Sequence, residues 1–303
     1  MKSYRAVEVY EFLRKFGHDI YLVGDTEIEI KGVSSLENYK NDSLTWIKPG
    51  HNIDEEQGIR ALVLSQGTNK TADVMFYCDN PKFYFFKAAE LLMDTKREPV
   101  ISSTAIIAKS AKLGDFVSIG HYSFIGENVV IGDNTQIGSH VTIEENVKIG
   151  DNCCIKSGAV IGGRGFGYSK VDGQYLPVSH FGGVIIGDYV DVGSNTCIDR
   201  GTLDDTIIEN GVKIDNLCHI AHNVLIKENS CIVANSTIGG SAKIDQGSYI
   251  GISASIQNQK SIGKGSLVGM GAVVTKDVPK GKVVAFSPAK VIRERTKNDL
   301  KKY

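Results

Sequence analysis

Aliphatic side chains recur at every sixth position over most of this chain. Ile107, Leu113, Ile119, Ile125, Ile131, Ile137, Ile143, Ile149, Ile155 and Ile161 keep the interval without exception. A second run holds it from Ile208 through Ile220, Ile238 and Ile256 to Val274, led in by Ile186, Val192 and Ile198. Two positions ahead of these aliphatics the residue is usually small or β-branched, as at Val117, Val129, Val141, Cys218, Ser236 and Ala254. That alternation is the period of two by which a strand sends every second side chain to one face. Each hexapeptide therefore reads as one short strand and one corner, with Gly, Asn or Asp after the aliphatic supplying a permissive backbone. Three hexapeptides close a triangular coil, its aliphatics filling a continuous core and its strands pairing in parallel with the next coil. A β-sandwich would show strands of varied length and irregular turn spacing. The spacing predicts a mostly β protein built around a parallel β-helix.

Two segments break the rhythm, and in a solenoid an insertion must leave the coil as a loop. One runs from Gly163 to Val184 and is rich in aromatics and glycine; the other adds four residues between Ile198 and Ile208, within DRGTLDDT. Before the repeats the pattern changes. Residues from Tyr4 to Phe16 carry apolar positions at helical spacing, ALVLS (61–65) and VMFYC (74–78) read as buried strands, and Asn80 with Pro81 opens a second helix. The expected organisation is a small α/β domain over residues 1–98, the β-helix over 99–285, and a short basic helix over 286–303 that caps the last coil.

Composition narrows the function classes. A formal net charge of -1 supplies no global attraction to nucleic acid or to a membrane surface. The first residues, MKSYRAVEVYEFLRKF, are too charged for a signal peptide or a spanning helix, so integral membrane contact is not expected and the cytoplasm is the expected location. The six cysteines have no CxxC spacing and are expected as free thiols, with Cys153 and Cys218 at small inward positions.

Candidate chemistry centres on DNLCHIAHNV, the only close histidine pair. His219 precedes an inward isoleucine and should face outward on a flat side, whereas His222 falls at a corner. An imidazole, with an ordinary pKa of about 6.5, can take the proton that an amine loses on attacking a carbonyl. The residues alone leave two readings of His222 open, a base and a surface residue on a stable scaffold. Gly240 lies one coil later, where its N–H is either an oxyanion donor or simply one more corner amide. No third histidine repeats at the coil interval, so a metal site is not expected.

At this point the motifs resemble a known family. IGGRGFGY, GGVIIGDYVDVGSNTCIDRGTLDDTIIENGVKIDN and IAHNV are similar to the UDP-3-O-acylglucosamine N-acyltransferases of lipid A biosynthesis, over nearly the whole chain. The resemblance implies left-handed coiling, a homotrimer with active sites between subunits, and an N-terminal domain that binds a nucleotide sugar. It implies His222 as general base and the Gly240 N–H as oxyanion donor, with no permanently bound cofactor. It further implies acceptor contacts from Trp46, Asp205, Asn216, His219, Asn223 and Gln259, and donor contacts from Gly269, Met270, Lys276 and Arg293. Three positions depart from the family pattern: Pro49 and Asn52 stand where an asparagine and a tyrosine accompany the aromatic kept as Trp46, and Gln259 replaces a histidine. The ending SPAKVIR resembles the close of coenzyme A dependent sugar acetyltransferases, and the chain stops at Tyr303 without the longer helical tail of the family. The expected reaction is acyl transfer from a pantetheine thioester, on acyl carrier protein or coenzyme A, to the amine of a nucleotide-linked amino sugar. The alternatives are an acetyl-CoA dependent N-acetyltransferase for another surface glycan and a non-catalytic sugar-nucleotide-binding solenoid.

Overall fold

A computed structural model describes residues 2–48, 58–65, 68, 72–93, 98–288 and 290–296. Pro49 and Asn52 lie outside the described residues. The chain forms two compact units, residues 1–98 and 99–303.

In the first unit, a five-stranded sheet carries Ala61–Leu64 at its centre, parallel to Ser43–Trp46 on one side and to Val74–Tyr77 on the other. All four residues of that central strand are buried, as expected for a strand covered on both faces. Helix α1 (Ala6–Leu13) contributes Ala6, Val9 and Leu13 to one face, and α2 (Pro81–Leu92) contributes Tyr84, Phe85, Ala88 and Leu92. The Asn80 side chain accepts from Phe83 N–H at 3.2 Å and Pro81 occupies the first turn, so α2 starts where its cap residues predict.

In the second unit most strands are two residues long, and they stack into three sheets of ten, nine and eight strands. Each aliphatic sits over its counterpart one coil away, as in Ile119↔Ile137, Ile220↔Ile238 and Ile244↔Ile262. These side chains form one continuous core from Val117 to Val284. Buried hydroxyls interrupt it without being orphaned. Ser123, Thr135, Ser230, Ser236 and Ser248 each donate to a carbonyl oxygen of a corner, at 2.8–3.1 Å.

The corners divide their labour more finely than the sequence suggests. Asn128, Asn134, Asn146, Asn152, Asn229 and Asn235, three positions after an aliphatic, hold φ between 54° and 62°, the left-handed conformation that asparagine tolerates best among residues with a side chain. Glycines directly after the aliphatic, such as Gly114 and Gly132, are not in that conformation. They are required because a Cβ there would fall 2.3 Å and 2.2 Å from Asp133 Oδ1 and Asp151 Oδ1 of the next coil. Those carboxylates accept from Asp115 N–H and Asp133 N–H at 2.8 Å, so glycine makes room for a ladder of caps along one edge.

The helix expected over residues 286–303 is corrected by the structure in its described part; residues 297–303 lie outside the described residues. Lys290–Glu294 is a strand, antiparallel to Lys282–Ala285, and this hairpin continues the ten-stranded sheet past its last parallel coil. An open parallel edge presents unpaired N–H and C=O groups that a helix would leave exposed, whereas an added strand pairs them. Val291 and Ile292 also favour a strand over a helix. Arg295 pins the end by donating from Nη1 to the carbonyls of Gly247 and Gly265, at 2.9 and 2.6 Å.

Because each coil contacts only its neighbours, a cavity in one layer has no distant element to fill it. Ile131→Ala, at a position 1% exposed, is expected to cost about 2–5 kcal/mol in denaturant unfolding; a loss under about 1 kcal/mol would contradict a rigidly stacked core.

Candidate active site

One corner column of the β-helix gathers the reactive groups. Pairing of Ile143, Ile161, Ile198, Ile220, Ile238, Ile256 and Val274 in successive coils lines up Glu145, Gly163, Arg200, His222, Gly240, Asn258 and Lys276 two residues further on, with one register shift that sets Gly163 opposite Asp199. Both insertions leave the coil at this same column, immediately before His222.

His222 is held in one tautomer by its neighbour. The Asn223 amide donates from Nδ2 to Asp204 O at 2.9 Å and accepts at Oδ1 from Thr202 N–H at 3.0 Å, so its orientation is fixed. Its Oδ1 lies 3.1 Å from His222 Nδ1, which must therefore carry the proton and leave the lone pair on Nε2. Asn223 itself has φ 58°, and its N–H donates to Thr206 Oγ1 at 2.9 Å. The four-residue insertion thus serves as a brace: its backbone pins Asn223, and Asn223 aims the imidazole.

Nε2 is directed at Gly240. A Cβ on Gly240 would lie 2.7 Å from Nε2 and 2.9 Å from Cε1. Gly240 is not among the residues with positive φ, so glycine is demanded by space and not by backbone conformation. Its N–H donates to no protein acceptor among the described residues, a state it shares with other corner amides such as those of Ala234 and Asn258, whereas those of Asp188 and Ser194 are capped by Asn210 and Asn216 at 2.8 and 2.7 Å. An uncapped amide beside a lone-pair nitrogen is a suitable pairing for acyl transfer: one receives a proton, the other a developing oxyanion.

Around this pair lie groups that the sequence did not single out. Asp199, 8% exposed, sits with Oδ2 3.7 Å from His219 Nε2. Burial pushes its carboxyl up, against the opposing pull of His219, His222 and His180. Arg200 is buried, donating from Nε to Gly162 O at 2.6 Å and from Nη1 to Glu145 Oε1 at 2.5 Å. The Glu145 carboxyl is pulled down chiefly by that hydrogen bond. His180 returns from the longer insertion to stand against His222. Periodicity could not find His180, because an insertion carries no repeat from which its path can be read.

The remaining sequence candidates are spread over several places. His219 projects from the flat face, with 45% of its side chain exposed. Asp205 Oδ1 accepts from Gly183 N–H at 2.6 Å, joining the two insertions. Gln259 is at the corner two coils beyond His222, with its N–H on Gly240 O at 2.9 Å, and Lys276 lies exposed a further coil along, roughly 14 Å from His222 at ~4.8 Å per coil. Asn216, Gly269 and Met270 belong to a different edge of the triangle, where Asn216 Oδ1 is occupied by Ser194 N–H. Arg293 is on the terminal hairpin and Trp46 is in the first unit, half-buried with its ring centroid 6.2 Å from that of Phe85. The thiols of Cys153 and Cys218 are pushed up by burial, opposite to the direction that activates a nucleophile. No group of three or more His, Cys, Asp or Glu side chains is placed to share a metal ion among the described residues.

Two outcomes are expected. His222→Ala should lower kcat by about 10²–10⁴-fold, and Gly240→Ala by about 10²-fold, with melting temperatures within a few degrees of the parent; steady-state kinetics on either variant near the parent rate would exclude this pairing. Glu145→Gln should cost about 1 kcal/mol at pH 7, kept small because the carboxylate is half exposed. Since the folded pKa of Glu145 is lowered, its contribution is present above the unfolded value of about 4.3 and lost as pH falls through the folded pKa. Melting curves of parent and variant should therefore converge in acid.

With this geometry established, comparison with known proteins is informative. The family model for bacterial transferase hexapeptide (six repeats) matches residues 128–163 and 205–240. A UDP-3-O-acylglucosamine N-acyltransferase of Methylacidiphilum infernorum (isolate V4) is 43% identical over 292 residues, covering 89% of this chain and 83% of that protein. A namesake from Delftia acidovorans is 49% identical over 88 residues, and that match spans 29% of this chain and 26% of the relative. Among solved structures, the UDP-N-acetylglucosamine O-acyltransferase of Moraxella catarrhalis superposes with a TM-score of 0.60 at 30% identity, over 67% of this chain and 77% of that one. The UDP-N-acetylglucosamine acyltransferase of Francisella novicida gives 0.60 at 29% identity, over 67% and 76%. The second unit is the left-handed parallel β-helix of these enzymes, and no helix among the described residues is long and apolar enough to cross a membrane. Similarity at this level over 89% of the chain, on a scaffold whose paired imidazole and open amide suit acyl transfer, places the chain in the UDP-3-O-acylglucosamine N-acyltransferase family of acyltransferases.

Proposed function

We propose that this acyltransferase moves a 3-hydroxyacyl group from a pantetheine thioester to the amine of a UDP-linked glucosamine already acylated at O3. The observation that carries the reading is the His222 Nε2 lone pair, fixed by Asn223 and aimed across Gly240. The amine attacks the thioester carbonyl, its departing proton passes to Nε2, and the oxyanion meets the Gly240 N–H. Collapse breaks the C–S bond, and the imidazolium returns the proton to the leaving sulfur. No acyl-enzyme is needed, since holding both reactants at one corner supplies much of the rate.

A cytoplasmic homotrimer is part of the proposal. Leu217, Ile252 and Met270, 58%, 45% and 72% exposed, fall along the corner edge that also bears Asn216 and Gly269. Such a stripe of large apolar side chains favours burial against a neighbouring copy. In that arrangement the edge of one subunit faces the His222 edge of the next and lines the acyl chain, with Lys276 and Arg293 toward the donor's phosphates. Trp46 is assigned to the nucleotide base, as an aromatic surface in the first unit.

The test is a product mass spectrum. Protein mixed with UDP-3-O-acylglucosamine and either 3-hydroxyacyl-carrier protein, 3-hydroxyacyl-CoA or acetyl-CoA should give an amide carrying the longer acyl group. Acetylated product alone would point to the acetyltransferase reading, and no thioester consumption with any amino sugar would leave only a binding scaffold.

A further inference from the structure

The longer insertion brings a third imidazole into this site. His180 is 5% exposed, and its Nδ1 lies 2.9 Å from Val178 O. A carbonyl oxygen can only accept, so Nδ1 holds the proton and Nε2 a lone pair. That Nε2 is buried and has no hydrogen-bond partner. Its ring meets the His222 ring edge to face, with centroids 5.4 Å apart and planes at 77°.

The glycines of GRGFG explain how the two rings come so close. A Cβ on Gly165 would fall 2.8 Å from His180 Nε2, 2.9 Å from His222 Cβ and 3.1 Å from His222 Cδ2. One on Gly167 would fall 2.7 Å from His180 Cε1. Neither glycine has positive φ, so both serve to admit the imidazole. The base of the loop is anchored by Arg200, through its bonds to Gly162 O and Glu145. A buried acceptor with no donor is costly, and one held this firmly beside a reactive nitrogen is waiting for a donor from elsewhere.

We propose that His180 is a second substrate-contacting residue of the acyl-transfer site, whose Nε2 accepts a hydrogen bond from the amine N–H that the reaction does not remove. The inference rests on His222 as the base. A neutral amine has one lone pair and two hydrogens. The lone pair forms the new C–N bond, one hydrogen leaves as a proton to His222 Nε2 and then to the departing sulfur, and the other stays in the amide. Acceptors on both N–H groups leave the lone pair a single direction, toward the carbonyl at Gly240. Because the Gly165 peptide covers Nε2, the amine reaches it by displacing the segment that carries the 86% exposed Phe166.

Three variants separate this from a packing role. His180→Phe keeps the ring's shape without an acceptor. His180→Asn keeps a donor for Val178 O but nothing at the Nε2 position, and His180→Gln places an acceptor oxygen near that position. With UDP-3-O-acylglucosamine and a 3-hydroxyacyl thioester, Phe and Asn should each lower kcat at least about 10-fold, with KM for the thioester changed less than about 3-fold. Gln should recover most of the rate, and melting temperature should not track activity. Parent kcat in Phe and Asn, beside an inactive His222→Ala, would overturn the His180 assignment alone; so would Gln as slow as Phe. Full activity in His222→Ala would remove the base on which it rests and this assignment with it.

Discussion

Parallel backbone hydrogen bonds between neighbouring coils are the constraint on which the rest of the molecule depends. Once Ile220 is paired with Ile198 on one side and Ile238 on the other, every side chain near them is fixed in register. The residue two places on must stand in a column with its counterparts above and below. The geometry of the candidate site follows directly: His222 meets Gly240 because one coil separates them, and no hinge or domain movement is needed to bring them together. The same ladder explains the isoleucines. A strand of two residues makes few bonds of its own, so its position is held by burial of one large side chain per hexapeptide.

A perfectly regular solenoid would present the same corner in every coil and so no distinct site. The site arises where that regularity lapses. Four residues inserted after Arg200 reach Asn223 and fix its amide, which orients the His222 imidazole. The longer insertion folds back to lay His180 against His222 and to join Asp205 through Gly183 N–H. Gly240 keeps its N–H uncapped. Rigid coils on both sides hold these irregular pieces to within the tolerance that proton transfer requires.

Local costs accompany this arrangement. Asp199 is a buried carboxyl among three histidines, and His180 carries an unpaired nitrogen, at the one place in the described solenoid where the corner column is interrupted twice. Elsewhere in the solenoid, the buried hydroxyls of Ser123, Thr135, Ser230, Ser236 and Ser248 find carbonyl partners. Within the described solenoid, polar strain is thus concentrated around His222, while the long aliphatic core supplies the stability that tolerates it.

By itself, the sequence determined the β-helix, because a six-residue period is a property of local spacing that three-dimensional context cannot disguise. It also determined the start of α2 from Asn80 and Pro81, and it placed His222 at a corner one coil from Gly240. The reasons for particular residues were only partly legible. Glycines after an aliphatic such as Gly114, Gly132 and Gly150 looked conformational, yet none has positive φ and what they provide is room for the aspartates of the next coil. Lys290–Glu294 looked helical from its basic ending but became a strand, since the open sheet edge outweighs local propensity. Tertiary structure alone decided that His180 joins His222. Asp199, Arg200 and His180 come from positions 23, 22 and 42 residues earlier, two of them at the rims of insertions and one within. No spacing rule relates an inserted loop to the column on which it lands; only the packed fold, with Gly165 and Gly167 small enough to let an imidazole in, brings the two rings together.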